Sequence, residues 1–207
     1  MPIIRLDEAQ QLAAKDEFWA VRGKAIQSYA GLEQALARLF SALAGTTQEI
    51  GGAIFFRIAS ADARRNLIGK LFQIKFRDQY HLFRNSLIKQ LRPIDNERNE
   101  IVHWNVVNNV AADDAGKTTS KLALMPPSTF PSPNSVSKDT DGMKAFANKC
   151  GFYTSLVSMF PVIAMEGFAA TPISEADMRP WLNAYSRPIE YPPPVGHVLD
   201  RYERSDS

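Results

Sequence analysis

YHLFRNSLIKQLRPIDNERNEIVHWN, residues 80–105, is the stretch from which the rest of the chain can be read. On a helix turning about 100° per residue, Tyr80, Phe83, Leu87, Leu91, Ile94 and Ile101 fall on one apolar stripe, as they would in a helix with one face against a core. Arg98 falls in the middle of that stripe. A cation directed at a core is costly unless it is paired or the site is a polar cleft. Asn99 and His103, four residues apart, share a face at the stripe's edge. A guanidinium, an amide and an imidazole thus gather near one helix end. Pro93 removes a backbone donor, yet the stripe keeps its phase across it. The expectation is a kinked helix over about 80–104, with a short break as the alternative.

Three helices are expected before it. Over residues 8–44, Phe18, Ile26, Tyr29, Leu32, Leu36, Leu39, Phe40 and Leu43 recur at spacings of three and four, and Gly45 supplies the stop. Thr46 and Glu49 have the spacing of a capping box ahead of Ile54, Phe55, Phe56 and Ile58. Ser60 and Asp62 open a third helix carrying Ala63, Leu67, Leu71 and Ile74 on one face. After His103 the pattern changes to two β-leaning runs around Asp113–Gly116, a hairpin over about 104–125. Residues 126–140 read as a mobile Pro/Ser-rich loop. Helical periodicity returns with Met143, Phe146, Cys150, Tyr153, Val157, Phe160 and Ala164. The fold class is therefore all-α: an up-and-down bundle of four to five helices over residues 1–170, with a small hairpin after the fourth. Residues 171–207 form a Pro-rich extension with a short helix near 173–182. Its last fifteen or so residues are expected to be disordered or laid over a partner.

Composition narrows the function. The 207 residues suit one well-buried domain with a tail. The single cysteine, Cys150, permits no disulfide within the chain, which fits a reducing compartment. The N-terminal residues lack the pattern of a secretory signal, and the longest apolar run, 156–165, is too short to span a bilayer. The reading is a soluble, cytoplasmic protein without a membrane partner. Net charge is only +2, but residues 57–98 hold ten basic side chains against four acidic ones. Such a segment can attract a polyanion, with Arg64, Arg65, Lys70 and Arg92 as candidate nucleic-acid contacts, or can simply be a solvated surface.

His81, His103 and His197 are far apart, and no two have ligand spacing with a cysteine or carboxylate, so no metal site and no cofactor are expected. No Ser/His/Asp arrangement and no phosphate-binding glycine loop occur either. Arg98, Asn99 and His103 remain. In the form Arg-Asn-Glu-Ile-Val-His, closing a helix of an all-α bundle, the chain resembles the HEPN family, whose motif is Arg-x(4–6)-His with a polar residue after the arginine. The resemblance spans roughly residues 18–165. Pro93 inside the motif helix departs from the pattern.

The resemblance implies a metal-independent endoribonuclease with RNA as substrate, acting as a homodimer in which two motifs face one cleft. It also suggests a toxin or defence component with an antitoxin protein as partner. In it Arg98 and His103 are the catalytic pair, Asn99 holds the arginine or the scissile phosphate, and Glu100 orients His103. Histidine titrates near neutrality and can move the 2′-hydroxyl proton, and an arginine fork can stabilise charge on a phosphoryl group. On an ideal helix Arg98 and His103 point about 140° apart, so a second subunit is the simplest source of the missing half. Two other readings stand beside this one. The chain could be a non-catalytic HEPN-like module binding a protein or nucleic acid. Alternatively, Arg98 pairs with Asp95, Glu97 or another carboxylate, while His103 meets the helix dipole.

Overall fold

The computed structural model describes residues 8–112, 118–127, 137–165, 167–168 and 171–202. It is mostly helical, with one antiparallel hairpin. The order is α1 (Glu8–Ala44), α2 (Gln48–Arg57), α3 (Ala61–Phe76), α4 (His81–His103), β1 (Asn105–Ala112), β2 (Thr118–Met125), α5 (Thr140–Ala164) and α6 (Glu175–Tyr185), then a 3-10 turn, Asp200–Tyr202. The all-α class with a hairpin directly after the motif helix is as expected: five of the described helices fall within residues 1–170, and the sixth, α6, is the short helix expected near 173–182. Pro93 lies inside α4 without ending it, so the alternative of a break does not occur. The expected turn at Asp113–Gly116 and most of the Pro/Ser-rich loop lie outside the described residues. Among the described residues no helix is long and apolar enough to cross a membrane.

The chain groups into two compact units, Met1–Ser28 with Asn96–Ala147, and Tyr29–Asp95 with Asn148–Ser207. In the first, Phe18, Ala25, Ile101, Leu124, Met143 and Phe146 are buried. Its hairpin runs in register from Asn105 opposite Met125 to Ala112 opposite Thr118. Lys138 extends the pairing, exchanging backbone hydrogen bonds with Leu124 at 2.7 and 3.0 Å.

The second unit has an aromatic core. Phe160 lies 4.8 Å from Phe72, 5.4 Å from Phe83 and 5.0 Å from Tyr185, centroid to centroid. Such pairs add to the area that each ring buries. The Tyr185 hydroxyl, buried with its ring, donates to the Leu156 carbonyl at 3.0 Å, and burial raises its pKa above the usual tyrosine value.

Local chemistry explains the α1–α2 corner in the same unit. Gly45 takes φ +65°, and the bonds Gly45 N–H to Ala42 O and Thr46 N–H to Ser41 O complete a Schellman cap. The N-cap of α2 is Thr47, whose side chain accepts from the Ile50 amide, and not Thr46. Gly51 is buried against Ser41, so closely that a Cβ there would stand 2.0 Å from Ser41 Oγ.

Residues up to Tyr202 depart from the expectation of a disordered tail. Ile189 and Leu199 are buried, Tyr191 packs 5.3 Å from Phe152, and the Tyr202 hydroxyl lies 3.2 Å from Ser155 Oγ. Proline content suggested disorder, but the tail carries apolar side chains between its prolines, and these cover α5.

Candidate functional site

The last turns of α4 carry the sequence motif, within the first unit. Of the projected stripe, Phe83, Leu87, Leu91, Ile94 and Ile101 are buried, while Tyr80 lies just before α4 and is half-buried. Arg98, four residues past Ile94 and three before Ile101, is half-buried. Its Nη1 donates to Asn99 Oδ1 at 2.8 Å, so the structure joins the arginine to the asparagine that follows it. His103 is the last residue of α4 and is exposed. Among the described residues its ring has no hydrogen-bond partner.

Glu100 has another partner than the one expected. Lys138 Nζ lies 3.2 Å from Glu100 Oε2 and donates to Glu97 Oε1 at 3.1 Å. The carboxylate proposed to orient His103 is drawn to a lysine instead. Asp95, a candidate partner for Arg98, is engaged by Arg65 and by the Tyr29 hydroxyl, which donates at 2.8 Å.

Two residues that shape this end of α4 were not singled out from sequence. Arg22, on α1, donates from Nε to the Ile101 carbonyl at 2.9 Å and from Nη2 to Val102 and Trp104 at 3.0 and 3.4 Å. These are carbonyls that a helix end leaves without partners, and a guanidinium there also meets the negative end of the helix dipole. Arg22 lies over the Trp19 ring, 5.2 Å from its centroid. Lys138 ties the preceding turn to the hairpin. Its only sequence signal is the pair Glu97 and Glu100, three apart on one helix face and thus able to share a cation. For Arg22 no local signal exists, because 79 residues separate it from Ile101.

The candidate nucleic-acid contacts belong to the second unit and divide into two kinds. Arg65 is buried in ion pairs with Asp62 and Asp95. Arg64 pairs with Glu33 at 3.0 Å and lies over Phe55. Arg65 is thus paired within the buried interior, while Arg64 is half-buried with an acidic partner of its own. Lys70 and Arg92 are exposed. Among the described residues no group of three His, Cys, Asp or Glu side chains could hold a metal ion. His197 accepts from the Leu199 amide at Nδ1, and burial lowers its pKa below the usual histidine value.

Chemically, the α4 terminus presents an oriented arginine and a solvent-facing imidazole on one short stretch of backbone. The first can hold an anion and the second can move a proton. Comparison with protein-family models, curated protein sequences and solved structures gives no match.

Proposed function

We propose that the chain is a metal-independent endoribonuclease of HEPN type that cleaves RNA at a site shared by two copies of itself. One observation carries the reading: at the end of α4, Arg98 is held by Asn99 while His103 faces solvent without a protein partner among the described residues. In the proposed reaction a His103 imidazole takes the 2′-hydroxyl proton and the 2′-oxygen forms a bond to phosphorus. The bond from phosphorus to the 5′-oxygen breaks, and that oxygen leaves with the proton returned by the His103 imidazolium, so one Arg98 and one His103 make up each site. Arg98 stabilises the charge that builds on the phosphoryl oxygens. The products are a 2′,3′-cyclic phosphate and a 5′-hydroxyl. A role as a toxin or defence component, held in check by an antitoxin protein, belongs to the same proposal.

Purified protein is expected to cut RNA in the presence of EDTA, with Arg98→Ala and His103→Ala each lowering kcat by about 100-fold or more. Mixing the two variants should recover activity, because a mixed dimer regains one site with Arg98 from one copy and His103 from the other. Activity surviving both substitutions overturns the nuclease reading, and failure of the mixture to recover overturns the shared site. The rival reading, a non-catalytic binding module, draws on the Glu100–Lys138 pair, which leaves His103 without an orienting carboxylate among the described residues. It predicts salt-sensitive RNA or protein binding with no cleavage product.

A further inference from the structure

We propose that the outer face of α2 is a self-association surface, on which a second copy of the chain packs its own α2 antiparallel about Ala53. The inference rests on α2 alone and does not depend on the nuclease reading.

Gly51 and Phe55 are the buried residues of this helix. On the helical wheel Ala53 lies about 180° from the midpoint of those two, so it points directly outward. Around it, Ile50, Ile54 and Phe56 are 54%, 48% and 52% exposed. Ile50 and Phe56 flank Ala53 about 60° to either side, so the outward face of α2 carries two exposed large apolar side chains.

The charges identify the occupant. Glu49 stands in the first turn and Arg57 in the last, both exposed, and neither has an ion-pair partner among the described residues. They lie four residues to either side of Ala53. A two-fold axis at Ala53 therefore brings Glu49 level with the partner's Arg57, and Arg57 level with the partner's Glu49. The same operation sets Ile50 level with the partner's Phe56, and the small Ala53 side chains permit close approach. A parallel arrangement would instead oppose like charges at both ends. A surface that complements itself in charge under a two-fold rotation is the mark of an isologous contact. The helix is only about 15 Å long, so the contact is at the small end for a dimer interface and should be weak and salt-sensitive.

Sedimentation equilibrium of the full chain over a concentration series tests this. The wild type should dimerise reversibly at micromolar to tens-of-micromolar concentration, and less so at high salt. Glu49→Arg should weaken dimerisation by about tenfold or more, and Glu49→Arg with Arg57→Glu should restore it, since the swap re-pairs both ends. Ile50→Lys, at an exposed position, should abolish it with the thermal unfolding temperature unchanged. A wild-type chain that remains monomeric across the series overturns the proposal. So does a dimer indifferent to Ile50→Lys, or a double swap no better than Glu49→Arg alone. RNA cleavage is not read in this experiment, so its outcome is separable from that of the nuclease assay.

Discussion

Single atoms decide the α1–α2 corner. A methyl at position 51 would stand 2.0 Å from Ser41 Oγ, 2.7 Å from Ser41 Cβ and 3.0 Å from Ser41 Cα. Rotating the hydroxyl away cannot relieve a clash that includes Cβ and backbone. Gly51→Ala should therefore destabilise the protein by about 1–3 kcal/mol, measured as a lower urea midpoint with an unchanged slope. Ser41→Ala should not rescue it, because Cβ remains. Arg65 illustrates why residue roles were harder to read than helices. Asp62, three positions earlier, was a visible partner, but Asp95 is brought to Arg65 only by the fold. A count of charges along the chain cannot tell a buried ion pair from a solvated surface, and it gives Arg65 the same weight as the exposed Lys70 and Arg92.

Helices were legible because the apolar period alone specifies them. The stripe of α4 and the returning period of α5 placed both helices to within a few residues. The hairpin followed from the change of period after His103. Caps were less legible: Thr46 and Thr47 are equally good chemically, and only the backbone geometry selects Thr47. What the period could not supply was the support of the motif helix, since Arg22 and Lys138 reach it from 79 and 41 residues away. Arg22→Ala should remove a guanidinium from three carbonyls near the α4 terminus and cost about 1–2 kcal/mol locally. Faster amide hydrogen exchange at residues 101–105, with Phe83 to Leu91 unaffected, is the expected result. Equal protection in wild type and variant would show that the terminus is held by something else.

Taken over the whole molecule, the C-terminal residues contribute to folding and not only to length. Ile189, Tyr191, Leu199 and Tyr202 all lie on or beside α5 or are buried, and His197 sits among them, 5.8 Å from Phe152. Burial depresses the His197 pKa below its ordinary value of 6.5, an effect that Arg187 reinforces and Asp200 and Glu190 oppose. The fold therefore favours the neutral ring. The stability this contributes is present above pH 6.5 and is lost as pH falls through the folded value. Thermal unfolding temperature should accordingly decline between about pH 7.5 and pH 5, and His197→Gln should flatten that part of the profile. A profile unchanged by His197→Gln would assign the acid sensitivity to other groups. The tail was misjudged from sequence because proline density and packing are separate properties: proline stops helices but does not stop the intervening apolar side chains from docking.

Ser41, Gly45 and Gly51 have a consequence for kinship. The left-handed residue that ends α1 and the Cβ-free contact of α2 are both tied to backbone geometry, and they stand six positions apart with the small Ser41 four positions ahead of the first. A chain that turns this corner in the same way is constrained to spell Ser-x3-Gly-x5-Gly, or a small residue in the first place. That spacing gives a search key for distant relatives that depends on no residue of the α4 terminus, and so on no assumption about what the chain does.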